Sequence, residues 1–184
     1  WVTAERQGVK SASYFWVGTE APVKGYYPSI FKYYDGSVSF NARVDSIVSW
    51  LKLPEEIRPQ LMLLYFSEPD NTGHNAGVNT MEIVNSIEEM DALLHYLFNE
   101  LETLKIYSDL NIIVVSDHGM TNVSDDRLVV LDDYISRMED LYINGRGTHV
   151  QFDLKKGEEK YKNTLLTELK KIPHCRIWKK NEIP

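Results

Sequence analysis

The strongest constraint on the fold is a long helical pattern that lies between two continuous apolar runs. Residues 61–66 read LMLLYF and residues 111–116 read NIIVVS. Short runs that are apolar on both faces are typical of buried strands in a parallel sheet. Between them, apolar residues over 80–104 recur at spacings of three and four, which predicts one helix, with Asn79 and Glu82 as its capping pair. This order of elements predicts an α/β fold, a parallel sheet with helices on both faces.

Weaker patterns in the rest of the chain agree with this α/β prediction. We predict a strand over 11–16, a surface loop over 18–36 and a helix over 42–53. In the tail we predict a helix over 128–141, a strand over 148–154 and a helix over 159–171. The chain is therefore expected to form one domain, with a core over 1–135 and a small αβ extension over 136–184.

The composition limits the possible partners. The 184 residues carry a formal net charge of −7, which disfavours binding to duplex nucleic acid, since that needs clustered Lys and Arg. A phosphate substrate stays possible, because a bound metal ion dominates its local field. No apolar run approaches the roughly 20 residues of a membrane-spanning helix. The single cysteine, Cys175, cannot form a disulfide within the chain, and we expect it to have no catalytic role.

A carboxylate and an imidazole follow each of the two apolar runs. Asp70 and His74 come after the first run, and Asp117 and His118 come directly after the second. Both side-chain types are good zinc ligands, and the carboxyl ends of parallel strands share one edge of a sheet. Either motif alone is common by chance and could be an ordinary strand-exit turn. Together they predict a metal site in one crevice.

The residues around these pairs resemble the nucleotide pyrophosphatase/phosphodiesterase branch of the alkaline phosphatase superfamily. The resemblance lies in LYFSEPDNTGHNAG and IIVVSDHGM, and upstream in WVTAERQGVKSASYFWVGTEAP and KYYDGSVSFNARVD. It covers residues 1–135 well and the tail loosely. It implies an alkaline-phosphatase-like fold, present in part, and an extracellular, cell-surface or periplasmic location.

The resemblance also implies two zinc ions. Asp70 and His74 would bind one zinc, together with a later histidine. Asp117 and His118 would bind the other, together with an earlier aspartate and a nucleophilic threonine. These three further residues have no match here, so we expect the chain to be an internal part of a phosphodiesterase catalytic domain and inactive alone. His149 is expected to be a surface or packing histidine rather than the later ligand.

Two tyrosines match positions where this family places aromatic side chains near the nucleoside of its substrate. They are Tyr34, in KYYDGS, and Tyr65, in LYFSEPD. A base can stack on an aromatic face without sequence-specific hydrogen bonds. Tyr33 fits the first position equally well, and Tyr65 ends a predicted buried strand and could belong to the core.

The resemblance implies hydrolysis of phosphodiester or pyrophosphate bonds in nucleotides or related small molecules, through a covalent phosphothreonine intermediate. One alternative is another metal-dependent enzyme of the superfamily that shares Asp-His-Gly, such as a phosphonate hydrolase or a phosphomutase. Another is a non-catalytic member used for binding. The context YFSEPDNTGH favours the phosphodiesterase, and four intact metal ligands oppose a binding role. Several substrate classes stay open: nucleoside triphosphates, dinucleotides, nucleotide sugars and choline phosphodiesters.

Overall fold

The computed structural model describes residues 1–184 as two compact units, Trp1–Asn122 and Val123–Pro184. The first unit contains, in chain order, α1 (Val2–Arg6), β1 (Ser11–Tyr14), β2 (Ile30–Lys32), α2 (Phe40–Leu51), β3 (Leu61–Leu64), α3 (Asp70–Ala76) and α4 (Met81–Glu102). The second contains β4 (Leu141–Arg146), β5 (His149–Leu154) and α5 (Lys162–Leu169). The units divide before Val123, whereas the sequence analysis placed the division after residue 135.

The first unit is built on a parallel three-stranded sheet of order β2-β1-β3. In its register, Ala12 of the central strand lies opposite Ile30 of β2 and Met62 of β3. β1 is fully buried, as expected for a strand with neighbours on both sides. The predicted α/β class with a parallel sheet is confirmed, and β1 and β3 are two of the three strands predicted ahead of the tail.

The third predicted strand, over 111–116, does not form. These residues join no strand ladder, and Ile113, Val114 and Val115 are 83%, 63% and 66% exposed. Their β-branched composition favours an extended strand, but a strand is stable only when a neighbour pairs with its backbone groups. The outer edge of β3 carries no such neighbour. The sheet instead gains β2, which lies inside the predicted loop over 18–36 and is too short to show a period.

The predicted helix over 42–53 is confirmed as α2, and the long predicted helix is confirmed as α4. The capping residue of α4 differs, because the Thr80 side chain, not that of Asn79, accepts a hydrogen bond from the Ile83 N–H at 3.4 Å. The two helices pack together over a common core. The buried members of this core are Tyr14, Phe15, Val44, Ile47, Val48, Leu51, Leu93, Leu97, Leu101 and Leu104.

One residue predicted for the buried face of α4, Ile87, is 52% exposed. In this turn of the helix the buried position belongs to Ser86, whose hydroxyl donates to the Glu68 carboxylate at 3.2 Å. Ile83 and Met90, before and after Ile87 in the apolar pattern, are half-buried, so the pattern fails at Ile87 and not over the whole start of the helix.

The second unit pairs β4 and β5 as an antiparallel hairpin, beside which α5 contributes to a separate core. The predicted strand over 148–154 and the predicted helix over 159–171 are confirmed as β5 and α5. The helix predicted over 128–141 is wrong, since this stretch contains only two short 3₁₀ turns, Leu131–Asp133 and Met138–Asp140. Its aspartates and Ser136 favour turns because their side chains compete for backbone hydrogen bonds. None of the helices is long and apolar enough to span a membrane.

Candidate metal and substrate site

The first Asp–His pair lies on α3. Asp70 and His74 are one helical turn apart, so their side chains are neighbours, with 3.5 Å between Asp70 Oδ1 and His74 Nε2. The residue at the helix start, Pro69, provides no side-chain cap. Glu68 replaces it, because its Oε2 accepts hydrogen bonds from the Thr72 N–H at 3.0 Å and from Ser86 of α4. Glu68 therefore fixes the helix that carries the pair.

The second pair lies in the irregular segment after residues 111–116. Asp117 Oδ1 accepts a hydrogen bond from the His118 main-chain N–H at 3.1 Å, and Asp117 Oδ2 is 3.4 Å from His118 Nε2. His118 Nδ1 is 3.0 Å from the Gly119 carbonyl oxygen. A carbonyl only accepts, so Nδ1 carries the hydrogen and Nε2 of the neutral ring is left with its lone pair.

The same contact raises the pKa of His118, mainly through the hydrogen bond to Gly119 and then through the negative charges of Asp117 and Asp70. A second hydrogen bond from the far ring nitrogen is also what metal-bound histidines usually have, since it fixes the tautomer and the ring orientation.

A close contact between α3 and the segment around Met120 joins the two pairs. Gly73 is buried between Asp70 and His74, and a Cβ placed on it would lie 2.5 Å from Met120 Sδ. Only glycine allows the methionine to lie this close to the helix backbone. The carboxylate of Asp70 also acts electrostatically on His118, as described above. The structure therefore brings Asp70, His74, Asp117 and His118 to one part of the molecule.

The donor atoms of each pair suit zinc, although each pair supplies only two. In both pairs a carboxylate oxygen lies 3.4–3.5 Å from an imidazole nitrogen. In the second pair both atoms are acceptors, because Nδ1 of the neutral His118 ring carries the hydrogen, and a cation held between them would remove the repulsion. No group of three or more His, Cys, Asp or Glu side chains is arranged to hold a metal ion. The two-zinc assignment stays a prediction.

One of the two predicted substrate-binding tyrosines, Tyr65, interacts electrostatically with both pairs. Burial raises the pKa of Tyr65, and interactions with Tyr34, Asp70 and Asp117 raise it further. Tyr34 is 53% exposed, and its ring centroid is 5.2 Å from that of Phe15. The alternative residue, Tyr33, packs instead against Phe31, with 5.3 Å between the ring centroids. Tyr34 is therefore the tyrosine of this loop that interacts with Tyr65.

The sequence analysis missed Arg43, Glu68 and Met120. Arg43 is only 1% exposed, and its Nη1 donates a hydrogen bond to the Tyr65 carbonyl at 3.0 Å. One signal was available, since Arg43 stands beside Val44 on the apolar face of a predicted helix, where a solvated arginine is out of place. His149 at the start of β5 and Cys175, neither of which is expected to act in the site, are exposed, as is His95 on α4.

A sequence model described as type I phosphodiesterase/nucleotide pyrophosphatase matches residues 1–184. The chain belongs to this family. Among its phosphodiesterase relatives, the venom phosphodiesterase CdcPDE of Crotalus durissus collilineatus is 38% identical over 151 residues, which are 82% of this chain and 18% of that protein. Human ectonucleotide pyrophosphatase/phosphodiesterase family member 1 is 36% identical over 143 residues, 78% of this chain and 16% of that protein.

Solved structures of the family agree with the fold. Murine ectonucleotide pyrophosphatase/phosphodiesterase 5 superimposes with a TM-score of 0.83 at 32% identity, and the match covers 100% of this chain and 48% of that chain. An inactive variant of the murine protein in complex with AMP gives the same values. The alkaline-phosphatase-like class predicted from the sequence is confirmed. The chain thus spans less than half of these solved phosphodiesterases and less than a fifth of the two relatives above.

The contact between Gly73 and Met120 leads to a prediction on metal binding. Gly73→Ala should force Met120 aside and misplace one pair relative to the other. Overpacking typically costs 1–3 kcal/mol, so we expect zinc affinity of the full-length protein to fall by about tenfold. Adding Met120→Ala should restore it, because the smaller side chain leaves room for the new methyl group. The measurement is zinc titration in competition with a chromophoric chelator.

Gly119→Ala is the matched control, since a Cβ at Gly119 meets no atom within 4 Å and the substitution keeps the main-chain carbonyl that bonds to His118. It should change zinc affinity by less than about twofold, well below the effect of overpacking. Normal zinc affinity of Gly73→Ala, or no recovery on adding Met120→Ala, would show that this contact does not set the position of the pairs.

Proposed function

We propose that the protein containing this chain hydrolyses phosphodiester or pyrophosphate bonds of nucleotides with the help of two zinc ions. The observation that carries the proposal is the close packing of the Met120 segment on α3, which unites two Asp–His pairs in a chain of this family. A bound zinc pair would stabilise the charge that develops on the attacking and leaving oxygens of the phosphoryl group.

The side chains of this chain have distinct parts in this proposal. Asp70 and His74 would hold one zinc, and Asp117 and His118 the other. Glu68 keeps the first pair in place through the start of α3, and the Gly119 carbonyl keeps Nε2 of His118 free to bind. The nucleophile would be a threonine outside this chain, as the family resemblance implies.

Tyr34 and Tyr65 would contact the nucleoside. Tyr34 exposes half of its surface and contacts Phe15 at an angle, so part of its ring is available for a base. Tyr65 interacts electrostatically with Asp70 and Asp117 and would therefore lie nearer to the reacting phosphate. Binding of AMP by the murine relative supports a nucleoside monophosphate as the recognised unit.

The names of the relatives support a location outside the cell. They include venom enzymes and an ectonucleotide pyrophosphatase/phosphodiesterase. We therefore propose that the protein is secreted or displayed on the cell surface, where extracellular nucleotides would be its substrates.

The test is an assay of the full-length protein on the 4-nitrophenyl ester of thymidine 5′-monophosphate. We expect release of nitrophenol and thymidine monophosphate, loss of activity after chelation, and recovery on adding zinc. Nitrophenyl phosphate, a monoester, should be a much poorer substrate. A preference for the monoester, or full activity after exhaustive removal of metal, would refute the proposal.

A further inference from the structure

Arg43 is a buried cation that the proposed chemistry does not use. It lies on α2 and donates hydrogen bonds to two main-chain carbonyl oxygens that precede and follow it in the chain. Nε and Nη2 both donate to Val38, at 3.2 and 3.1 Å, and Nη1 donates to Tyr65 at 3.0 Å. The guanidinium group thus ties the loop before α2 to the residue that follows β3.

Aromatic rings complete the surroundings of this guanidinium. Its central carbon lies 4.9 Å from the ring centroid of Phe15 and 4.7 Å from that of Phe40. Such cation–π contacts favour arginine, whose planar group can stack and donate at the same time. Burial lowers the pKa of Arg43, while the tyrosines around it act in the opposite direction. The side chain stays charged, since arginine is not deprotonated in proteins.

Burying an arginine in a core costs more free energy than burying an apolar side chain. Its charge must be desolvated, and an apolar side chain of similar volume often gives equal or higher stability. A role in packing alone therefore does not explain this residue. What an apolar side chain could not do is hold two separate carbonyl groups in a fixed relation.

Two contacts of Arg43, one with the Tyr65 carbonyl and one with the Phe15 ring, lead to the proposed nucleoside site. Tyr65 is held directly through its carbonyl oxygen. Tyr34 is held through Phe15, which lies between the ring of Tyr34 and the guanidinium group. Phe15 has a left-handed backbone with φ of 64°, a conformation that non-glycine residues keep only when their surroundings enforce it.

We propose that Arg43 is a positioning residue that sets the spacing between Tyr34 and Tyr65 and so determines how well the enzyme recognises the nucleoside part of its substrate. This inference rests on the proposed function. A lysine at this position would keep the charge, but it could not donate to both carbonyl groups and stack on both rings.

The experiment compares Arg43→Lys with the unchanged full-length protein on two diesters that share the nitrophenol leaving group. One is the nitrophenyl ester of thymidine monophosphate, and the other is methyl nitrophenyl phosphate, which has no nucleoside. We expect KM for the nucleotide ester to rise about tenfold, the equivalent of 1.4 kcal/mol. Because methyl nitrophenyl phosphate does not reach the tyrosines, its kcat/KM should change by less than about twofold.

Arg58→Lys is the matched control. Arg58 is half-buried and, like Arg43, donates to a carbonyl oxygen, that of Leu53 at 3.0 Å, but it contacts neither tyrosine. It should leave both substrates unaffected. If Arg43→Lys lost kcat/KM equally for both diesters and its Tm fell as well, Arg43 would have only a structural role. An unchanged KM for the nucleotide ester would also overturn the proposal.

Calorimetric binding of AMP separates this inference from the proposed hydrolysis. Weaker AMP binding by Arg43→Lys, with unchanged binding of inorganic phosphate, would support the positioning role even if the unchanged protein cleaved neither diester. In that case only the proposed function would fail. Equal AMP affinity in both proteins would overturn the positioning role whatever the activity.

Discussion

Replacing His74 by alanine is expected to lower the rate at which the full-length protein hydrolyses a nucleotide diester, in the presence of zinc, by at least on the order of 10²-fold. This is the scale of losing one group that stabilises developing charge. His74 Nε2 is 3.5 Å from Asp70 Oδ1, so it is half of the first pair of donors. Without it α3 offers a single carboxylate, which cannot hold a zinc ion in a fixed position. The reaction would then lose charge stabilisation at the phosphoryl group.

His95→Ala is the matched control for this experiment. His95 is exposed on α4, and removing it should change activity by less than about twofold, as for surface substitutions in general. Zinc content after dialysis should fall in His74→Ala and stay unchanged in His95→Ala, and Tm measured by circular dichroism should exclude unfolding. Similar activity of the two variants at saturating zinc would refute the assignment of His74 as a ligand.

The elements that could be predicted from the sequence are those whose own residues show a clear apolar run or a clear helical spacing. β3 is a continuous apolar run, and α2 and α4 carry apolar residues at helical spacing over three turns or more. The first Asp–His pair follows β3, whereas the second follows residues 111–116, so its position in the chain was visible although the strand predicted before it does not form. Periodicity and composition suffice here because each element presents a regular face to one core.

The features that could not be predicted depend on distant partners. Residues 111–116 have the composition of a strand, yet no strand of the sheet pairs with them, which a local pattern does not reveal. On α4 the polar Ser86 is buried beside the exposed Ile87, because its hydroxyl donates to Glu68, which precedes α3. The region over 128–141 forms turns, although its apolar spacing suggested a helix.

The same distinction applies within the site. The donor types were visible in the sequence, but the contact that joins the pairs depends on Gly73 and Met120, which are far apart in the chain. Arg43 was missed for a related reason. Its role is visible only once Phe15 and Tyr65 are known to surround it, because neither lies near it in sequence.

Residues 1–184 expressed alone are expected to show no turnover of the nitrophenyl ester of thymidine monophosphate, even with zinc added. Each Asp–His pair supplies two donors, whereas catalytic zinc sites usually have three from the protein. Zinc should therefore bind weakly. The ions that do bind would lack the nucleophile that the proposed mechanism requires.

Two threonines close to the pairs could in principle serve as an internal nucleophile, and the structure gives neither that role. Thr72 lies within α3 between the two ligands of the first pair, where its N–H donates to Glu68. Thr121 is exposed in the irregular segment after Met120. A nucleophile needs a group that removes its proton or lowers its pKa, and no hydrogen bond joins either hydroxyl to a base.

The decisive comparison is between residues 1–184 and the same segment carrying His118→Ala, both folded by circular dichroism and assayed at equal zinc concentration. We expect both segments to release nitrophenol at the rate measured in buffer that contains zinc but no protein. If the unchanged segment were clearly faster than His118→Ala, the metal ligands outside this chain would be dispensable. The Thr72→Ala and Thr121→Ala variants would then show which hydroxyl attacks, since only the variant that lacks the attacking hydroxyl would lose turnover. That result would replace the external threonine with a nucleophile in this chain.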